Sequence, residues 1–345
     1  MKILHTPLND ADVAFNLVRG LRALGQEADL ATTAPSNPLI MTGNIDLSSP
    51  SKGKLGRQYA KWRFSRNELV NYNIVHYHSG HSILDYGNGI FRLMDMKQLT
   101  ARGVPLFATF HGCEVRDLQP GGCPHPCAST VCRIDSQKQR ERIEEIRRRV
   151  ARCYVTTPDL LPAVPEAKLM PQSLWGLEER KPVPPKTSGP LRIVHAPSNR
   201  ATKGTEAVIR AVESLQAEGL DIDFVLVENT PHDQALEILQ TADVVIDHVQ
   251  IDWYCVVSIE AAAFGKPVLV SFTQENVRRS NQESPPFLAV TKDTLKEKIR
   301  ALYEDRAVLL ELGRRNRVFA IKHHSAFEHA KRLLADYQEV LDARV

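Results

Sequence analysis

The order of apolar segments along the chain constrains its fold more than any other feature of the sequence. Short strand-type runs alternate with segments of helical periodicity: the runs are residues 2–5, 28–31, 74–77, 106–110 and 153–156, and the helical segments are 11–24, 90–101 and 137–150. Strands that alternate with helices form a parallel sheet, because each helix crosses over to the next strand. We therefore expect residues 1–172 to form an α/β domain of the doubly wound, Rossmann-like type.

A second alternation follows a segment rich in proline and charge, residues 173–190, which is predicted to be a linker because such segments bury little surface. The next runs are strands at 191–195, 223–227, 244–247 and 267–270, and helices at 204–215, 234–241, 257–264 and 295–316. We expect residues 191–324 to form a second Rossmann-like domain and a helix at 325–345 to pack back toward the first. Two such domains would face each other across a central cleft, lined by the strand ends where doubly wound sheets bind ligands.

Length and composition narrow the class of protein. A chain of 345 residues suits two domains, since single cores stop growing near roughly 250 to 300 residues. No stretch approaches the roughly 20 apolar residues of a membrane-spanning helix, and Asp10 precedes any apolar run long enough for a signal peptide. We therefore expect a cytoplasmic protein. A net charge of +3 is too small to favour a nucleic-acid partner.

A polar loop follows the first strand of the second domain. It carries Ser198, Arg200 and Lys203 immediately before the helix that is predicted to begin at residue 204. Two cations beside a helix N-terminus, whose free N–H groups attract anions, suit a diphosphate. The alternative interpretation is a solvated basic turn that caps the helix.

Two acidic residues flank the start of a later helix. Asp252 lies in the loop before it and Glu260 lies one turn inside it. This spacing lets Asp252 reach a sugar ring and Glu260 hold a ribose diol, while the amides of Val256 and Val257 face the phosphates. The alternative is a capped surface helix with no ligand.

These motifs together resemble the retaining GT-B glycosyltransferases of family 4, and the resemblance covers essentially the whole chain. The residues that match the family pattern are Arg200, Lys203, Gly204, Asp252, Glu260, Gly265, Pro267 and Val268. The resemblance implies an enzyme of glycan biosynthesis that transfers a sugar from a nucleotide-diphosphate sugar to a hydroxyl of a glycan, lipid-linked or small-molecule acceptor. It implies retention of configuration and no catalytic metal or other cofactor.

The sequence departs from the family pattern at several positions. Asp252 stands where the family usually has Glu, Cys255 where it has Gly, and Ser198 where an arginine usually precedes the lysine, so Arg200 is taken as its substitute. A glycine-rich loop is replaced by residues 7–10. Two other functions therefore stay open: a GT-B nucleotide-sugar epimerase or hydrolase, and a nucleotide-sugar-binding protein without activity.

A single histidine, His111, directly follows the predicted strand at 106–110. Because Gly112 comes next, the ring of His111 can approach a ligand closely, and the matching family histidine contacts the transferred sugar. We therefore predict that His111 and Asp252 are the catalytic residues that position the sugar. A histidine that only forms local hydrogen bonds in a loop is the alternative.

Further polar residues at strand ends are predicted to bind the acceptor: Asn9, Asp10, His78 and His81. His76 and His78 have the spacing that places two side chains on one face of a strand. The pair resembles part of a metal site, but it supplies at most two ligands. An acceptor-site or structural role is therefore favoured for these histidines.

Four cysteines lie within twenty residues: Cys113, Cys123, Cys127 and Cys132. Four thiolates can hold a structural Zn²⁺ tetrahedrally and so stabilise a loop that has little apolar content. The spacing does not follow paired CxxC knuckles, so an iron–sulfur cluster, disulfides and free thiols remain alternatives. Any metal here is expected to be structural.

The segment 52–66 contains six basic residues and no acidic residue, with Tyr59, Trp62 and Phe64 between them. One interpretation is peripheral contact with an anionic membrane, with the aromatic rings in the headgroup layer. The other is a solvated basic face whose aromatic residues pack on the N-terminal sheet.

Overall fold

The computed structural model of the protein describes residues 1–33, 43–48, 53–84, 92–118, 122–123 and 136–344. They fall into two compact units, which are described separately. The N-terminal unit comprises Met1–Cys123, Ile134–Trp175 and Ala326–Val345, and the C-terminal unit contains Gly176–Ser325.

The N-terminal unit is built on a parallel sheet. Within the described ranges, the sheet has seven strands: β1 (Lys2–Thr6), β2 (Glu27–Thr32), β3 (Ile45–Asp46), β4 (Ile74–His78), β5 (Leu106–Phe110), β6 (Arg152–Val155) and β7 (Lys168–Leu169). Their order is β3-β2-β1-β4-β5-β6-β7, and every neighbouring pair is parallel. The prediction of a parallel sheet is confirmed, and β4 and β5 end side by side.

In the described residues up to 147, this unit has five α-helices. In chain order they are α1 (Val13–Ala23), α2 (Gly53–Asn67), α3 (Met94–Ala101), α4 (Cys113–Arg116) and α5 (Ser136–Arg147). The sequence analysis did not identify α2 as a helix. Its apolar residues do not form one stripe, since Phe64 is buried whereas Leu55, Tyr59 and Trp62 are exposed.

The C-terminal unit contains a second parallel sheet. Its strands are β8 (Leu191–His195), β9 (Ile222–Leu226), β10 (Val244–His248), β11 (Val268–Val270) and β12 (Leu288–Ala289). They are arranged in the order β12-β11-β10-β8-β9. The strand order reverses at β8, because β9 lies on one side of it and β10 on the other. Doubly wound sheets bind ligands at such a reversal, outside the carboxyl ends of the strands.

The helices of this unit are α6 (Arg200–Lys203), α7 (Thr205–Ala217), α8 (His232–Thr241), α9 (Val256–Ala263), α10 (Gln274–Ser280), α11 (Leu295–Glu304) and α12 (Val308–His324). The predicted single helix at 295–316 is wrong, since the chain leaves the helical conformation at Asp305 (φ −115°, ψ 81°). Arg306 holds the break by donating to the carbonyl oxygens of Lys186 (2.8 Å) and Gly189 (3.2 Å).

The last helix, α13 (Ala326–Asp342), belongs to the N-terminal unit, where it packs against α1. The helices are so close that a Cβ atom on Gly20 would lie 2.6 Å from the Cβ of Ala330. Leu333 and Tyr337 of α13 are fully buried in the same core as Leu17 of α1. This helix therefore completes one face of the N-terminal sheet.

Candidate functional site

His111 is the first residue after β5, as the sequence predicts, and the local backbone holds it in place. Its N–H and that of Gly112 donate to the two carboxylate oxygens of Glu114, the second at 2.9 Å. The hydroxyl of Thr156 donates to the carbonyl oxygen of His111 at 3.3 Å. The imidazole therefore projects from a fixed turn at the carboxyl end of the sheet.

The ring of His111 is hydrogen-bonded to the ring of a second histidine, His78. His111 Nε2 lies 3.0 Å from His78 Nδ1, and His78 Nε2 lies 2.9 Å from His5 Nδ1. The sequence analysis placed His76 and His78 on one strand face, and their rings do stack, with centroids 4.8 Å apart. His78 is fully buried, so in this structure it reaches the site through His111.

The loop after β1 carries the other residues predicted to bind the acceptor. Asp10 is exposed and accepts a hydrogen bond from the hydroxyl of Ser79, which follows β4. Asn9 is largely buried: its side-chain oxygen accepts from the N–H of Phe15 at 3.0 Å and its amide donates to Asp12 at 2.8 Å. Asn9 thus fixes the loop, while Asp10 presents a carboxylate beside the end of β4. His81 is half-buried and also follows β4.

In the C-terminal unit, β8 leads into the short helix α6. Asn199 caps this helix by accepting from the N–H of Thr202 at 2.9 Å, and Ser198 is exposed beside it. Arg200 is exposed and bonds to Glu206 at 3.1 Å and Glu228 at 3.3 Å. Its guanidinium is therefore held at the surface next to the start of α7.

The other cation of this loop is buried. Lys203 Nζ lies 2.6 Å from Asp247 Oδ1, and the exposed fractions of the two side chains are 7% and 0%. Burial alone would raise the pKa of Asp247, but the Lys203 ammonium outweighs burial and holds that pKa well below its usual range. Burial would likewise lower the pKa of Lys203, and Asp247 instead raises it. The two form an ion pair at the ends of β8 and β10.

Asp247 also anchors the start of α9. Its second oxygen accepts from the N–H of Cys255 at 2.8 Å and from the Ser258 hydroxyl at 2.6 Å. Val256 and Val257 form the first turn of the helix, where N–H groups have no carbonyl partner within the helix. The ion pair therefore fixes a positively polarised helix end beside β10.

Glu260 lies inside α9, largely buried, with its carboxylate directed at two basic groups. Its Oε1 is 2.7 Å from His232 Nε2 and 3.9 Å from a guanidinium nitrogen of Arg180. His232 is about half exposed, so the carboxylate lies just beneath the surface. Asp252, in the loop before α9, accepts from the Thr273 hydroxyl at 3.0 Å.

Several residues of this arrangement were not identified from the sequence. Asp247 and Ser258 position α9, and His232 and Arg180 contact Glu260. The sequence did contain one indication, because Asp247 is a charged residue at the carboxyl end of a wholly apolar strand. His195 ends β8 in the same way: it bonds to Ile246 O and Thr205 Oγ1, and burial lowers its pKa to about 4.

The predicted zinc ligands are only partly described. Cys113 is exposed and Cys123 is half-buried, whereas Cys127 and Cys132 lie outside the described residues, so structural zinc remains a prediction. In the described part of the chain, Asp247, His248 and Cys255 place potential ligand atoms within 4.8 Å of one another. The Lys203 ammonium already neutralises Asp247 there, which disfavours a metal cation.

None of the helices in the described ranges is both long and apolar enough to cross a lipid bilayer.

Comparison with known proteins gives no match at the sequence level: neither a family model nor a curated protein matches the chain. Similar solved structures exist. The sucrose-phosphate synthase of Thermosynechococcus elongatus aligns over 99% of both chains with 18% identity and a TM-score of 0.66. The Anabaena protein HepE in complex with UDP-glucose aligns over 99% of this chain and 100% of its own, with 14% identity and a TM-score of 0.64.

A third similar structure is that of an enzyme with a different activity, the UDP-GlcNAc 2-epimerase of Neisseria meningitidis bound to UDP-GlcNAc. It shares 10% identity, with a TM-score of 0.56 over 98% of this chain and 100% of its own. Identities this low establish the fold alone. The prediction of fold class is confirmed: the chain is an α/β protein with two parallel sheets, like the GT-B glycosyltransferases.

Proposed function

We propose that this protein is a retaining glycosyltransferase that transfers a sugar from a nucleotide-diphosphate sugar to a hydroxyl acceptor without a catalytic metal. The observation that carries the proposal is the first turn of α9, which Asp247 and Lys203 fix at the point where the strand order of the C-terminal sheet reverses. A helix N-terminus at such a reversal is suited to bind a diphosphate.

Each group near this turn has a role in the proposal. The amides of Val256 and Val257 donate to the diphosphate. Arg200, at the start of α6, supplies a positive charge at the surface beside Ser198, where Glu206 and Glu228 hold its guanidinium. Lys203 is held by Asp247 at 2.6 Å, and the pair acts mainly by fixing the start of α9 where the diphosphate binds.

The nucleoside is assigned to Glu260. Its carboxylate accepts paired hydrogen bonds from the two ribose hydroxyls, and ribose binding replaces part of the contact with His232. Charge-assisted hydrogen bonds of this kind are about twice as strong as neutral ones. His232 orients the carboxylate in the absence of ligand.

Catalysis in this proposal is mainly electrostatic. As the diphosphate departs, its negative charge is spread over Arg200, Lys203 and the α9 amides, while the sugar acquires oxocarbenium character. The acceptor hydroxyl attacks from the same face and loses its proton toward the departing phosphate. His111 and Asp252 position the sugar, and Asp10 and His81 contact the acceptor.

Product analysis tests this proposal. Purified protein is incubated with a panel of nucleotide sugars, beginning with UDP-sugars, and with acceptors that carry free hydroxyls; a new glycoside with the anomeric configuration of the donor is expected. Transfer should persist in EDTA at concentrations that leave the protein folded. Inversion of configuration, or activity that is lost in EDTA and restored by Mg²⁺ or Mn²⁺, would contradict the mechanism.

The similarity to UDP-GlcNAc 2-epimerases favours a second candidate, a nucleotide-sugar epimerase or hydrolase. Incubation of the donor with and without an acceptor discriminates the two. The second candidate forms an epimer or free nucleotide at its full rate without an acceptor, whereas a transferase releases nucleotide much faster when an acceptor is present. A protein that binds nucleotide sugars and turns over none of them would be the remaining candidate, a binding protein without activity.

We also propose that the exposed face of α2 contacts anionic lipid. Leu55, Tyr59 and Trp62 are spaced so that they share one helical face, and they are 86%, 62% and 43% exposed. Arg66 lies over the ring of Trp62, 5.6 Å from its centroid. Phe64 does not belong to this face, because it is buried in the core of the N-terminal unit. Such a contact would bring the enzyme to a lipid-linked acceptor.

A further inference from the structure

A continuous chain of polar groups crosses the interior of the N-terminal unit, and His111 is one end of it. The chain consists of six side chains in this order: His111, His78, His5, Tyr337, His76 and Thr109. The successive distances between hydrogen-bonding atoms are 3.0, 2.9, 3.3, 2.6 and 2.7 Å. Tyr337 joins the two halves, although 261 residues separate it from His76.

The three inner rings are neutral. His5, His76 and His78 are 0% exposed. Burial lowers the pKa of His5 to about 3 and holds the pKa values of His76 and His78 well below the ordinary value of 6.5. A neutral imidazole has one N–H donor and one acceptor nitrogen. Each inner ring therefore donates one hydrogen bond and accepts one.

Neutrality couples the rings. A ring that donates from its Nε2 must accept at its Nδ1, so the ring before it must donate in the same direction. The hydroxyl of Tyr337 also has one proton, which it gives either to His76 or to His5. Only two arrangements satisfy the whole chain, one directed from His111 toward Thr109 and one directed the opposite way. Both hold one proton on each side chain.

The distances at Tyr337 favour the first arrangement. O–H donors make bonds of about 2.5–3.0 Å, whereas N–H donors make bonds of about 2.7–3.2 Å. The 2.6 Å bond to His76 Nδ1 is shorter than the N–H range, so the Tyr337 hydroxyl is its donor. Because that hydroxyl has only one proton, it accepts from His5 Nε2–H in the longer 3.3 Å contact. In this arrangement His5, His78 and His111 each donate from Nε2 to the next group of the chain. The proton of His111 therefore lies on Nε2.

We propose that Tyr337 is a positioning residue that fixes the tautomer of His111 through this chain. With its proton on Nε2, His111 offers Nδ1 as a hydrogen-bond acceptor, which suits a ligand hydroxyl. The contact with a sugar hydroxyl rests on the proposed function, but the coupling between Tyr337 and His111 does not. Tyr337 lies in α13, so the last helix of the fold determines the chemistry of a ring at the end of β5.

Nuclear magnetic resonance of ¹⁵N-histidine-labelled, ligand-free full-length protein tests the coupling, because protonated and unprotonated ring nitrogens have well separated ¹⁵N shifts. In the unaltered protein, His111, His78 and His5 should all carry their proton on Nε2. Tyr337→Phe removes the acceptor for His5 Nε2–H, and a buried N–H without a partner is costly. The proton of His5 should move to Nδ1, and His111 should shift toward the Nδ1–H form.

The matched control is Tyr154→Phe. Tyr154 is also buried, and its ring stacks on His76 with centroids 5.7 Å apart, but its hydroxyl donates to Asp336 at 2.8 Å outside the chain. This variant should leave the His111 ring shifts unchanged. A purely structural role for Tyr337 would predict equal effects of the two variants.

A second variant covers the case in which Tyr337→Phe does not fold. Thr109→Val removes the acceptor at the far end of the chain and should shift His111 in the same direction, whereas Thr109→Ser keeps the hydroxyl and should not. A proton on His111 Nδ1 in the unaltered protein would overturn the proposal, as would unchanged His111 shifts in both Tyr337→Phe and Thr109→Val.

The activity arm is separate. If the protein transfers sugar, Tyr337→Phe should lower kcat/KM by roughly 10- to 100-fold, the range expected when a site group is misplaced. Tyr154→Phe should have no such effect. Since the resonance arm needs neither donor nor turnover, it decides on the coupling even if the proposed function proves wrong.

Discussion

The two units contain buried polar clusters of different kinds near the carboxyl ends of their strands. The C-terminal unit buries formal charges as a pair, Lys203 with Asp247, and uses the pair to hold a helix end. The N-terminal unit buries imidazoles such as His5 and His78 without formal charge and links them to each other. A charge pair is strong but depends on both partners at once. A neutral chain has weaker links, but it transmits a choice of proton position from one end to the other.

The largest expected effect comes from breaking the pair. Asp247→Ala leaves the Lys203 ammonium buried without a counter-charge and should lower the free energy of unfolding by about 3–5 kcal/mol. Urea unfolding measures this, followed by the fluorescence of Trp253 in a background where Trp62 and Trp175 are replaced by Phe.

The control is Asp223→Ala, which breaks the exposed pair that Asp223 forms with Arg192 at 3.1 Å and should cost only about 0–1 kcal/mol. The double variant Lys203→Met with Asp247→Leu should recover the part of the loss that is due to the unpaired charge, since it removes both buried charges. It should not recover the part that is due to the lost hydrogen bonds from Cys255 and Ser258. If Asp247→Ala costs no more than Asp223→Ala, the contrast between the units is wrong.

The second-largest expected effect is a difference between the two units in how their stability depends on pH. Burial places the folded-state pKa of His5 near 3, below its ordinary value of 6.5, so the histidine takes up a proton only on unfolding. Its contribution to stability is complete above pH 6.5 and is lost as the pH falls toward 3. Asp247 has a folded pKa below its ordinary value of 3.8, so its contribution is lost only below that pH.

Between pH 7 and pH 5, each buried neutral histidine should therefore cost up to about 1.4 kcal/mol per pH unit below its unfolded value. The N-terminal unit has three such rings in its chain. In the C-terminal unit burial lowers the pKa of His195; His248 and His324 are buried as well, and His248 lies 3.9 Å from the carboxylate of Asp247. Hydrogen exchange, corrected for its intrinsic pH dependence, should show a larger loss of protection in β4 than in β10. Equal losses would contradict the contrast.

A third test asks whether Asp247 and Glu260, two of the buried carboxylates of the C-terminal unit, differ in role. Asp247 is bonded to groups of the protein, whereas Glu260 lies beneath the half-exposed His232. Glu260→Ala should weaken nucleotide-sugar binding by about 1.5–3 kcal/mol, the value of a charge-assisted hydrogen bond. Calorimetry measures the affinity, and Glu275→Ala, an exposed carboxylate paired with Arg279, should leave it unchanged. Undiminished affinity in Glu260→Ala would reject the ribose contact.

The smallest expected effect concerns charge that the N-terminal unit keeps at its surface. Each exposed basic residue of α2, such as Lys54, Arg63 and Arg66, contributes about 1 kcal/mol beside acidic lipid, and salt screens the attraction. Lys61 is buried and does not take part. Co-sedimentation with anionic vesicles should fall with salt and in the double variant Tyr59→Ser, Trp62→Ser. Val318→Ser, at an exposed position of α12, is the control. Equal recovery in the supernatant with neutral and anionic vesicles would show that α2 is a solvated basic face.

The fold was largely predictable because the spacing of apolar residues that marks each strand and each helix lies within a short stretch of sequence. Strand and helix alternate within short windows, so the two sheets and the strand end at His111 follow from the sequence. The two-residue strands β3, β7 and β12 are too short to give a pattern, and α2 lacks a single apolar stripe. The break at Asp305 was not predicted because side-chain bonds from Arg306 to distant carbonyl groups hold it.

The candidate site was predictable only in part. Glu260 and Lys203 were identified because charged residues next to a helix start are conspicuous in one stretch of sequence. Their partners were not, since Lys203 and Asp247 meet only when β8 and β10 become neighbours. Likewise, the link between His5 and His78 depends on β1 lying beside β4. Pairings across a sheet are decided by strand order, which a single sequence does not display.

The position of α13 has a consequence for the order in which the two units fold during synthesis. Residues 1–175 leave the ribosome long before residues 326–345, yet the N-terminal unit needs α13 to cover α1 and to supply Tyr337. Domains usually fold in the order in which they are made. Here the C-terminal unit, whose chain is continuous from Gly176 to Ser325, can finish first. The N-terminal unit is made first, but the face of its core that α13 covers stays exposed until residues 326–345 are synthesised. A nascent chain stalled before residue 326 would therefore expose that face to chaperones.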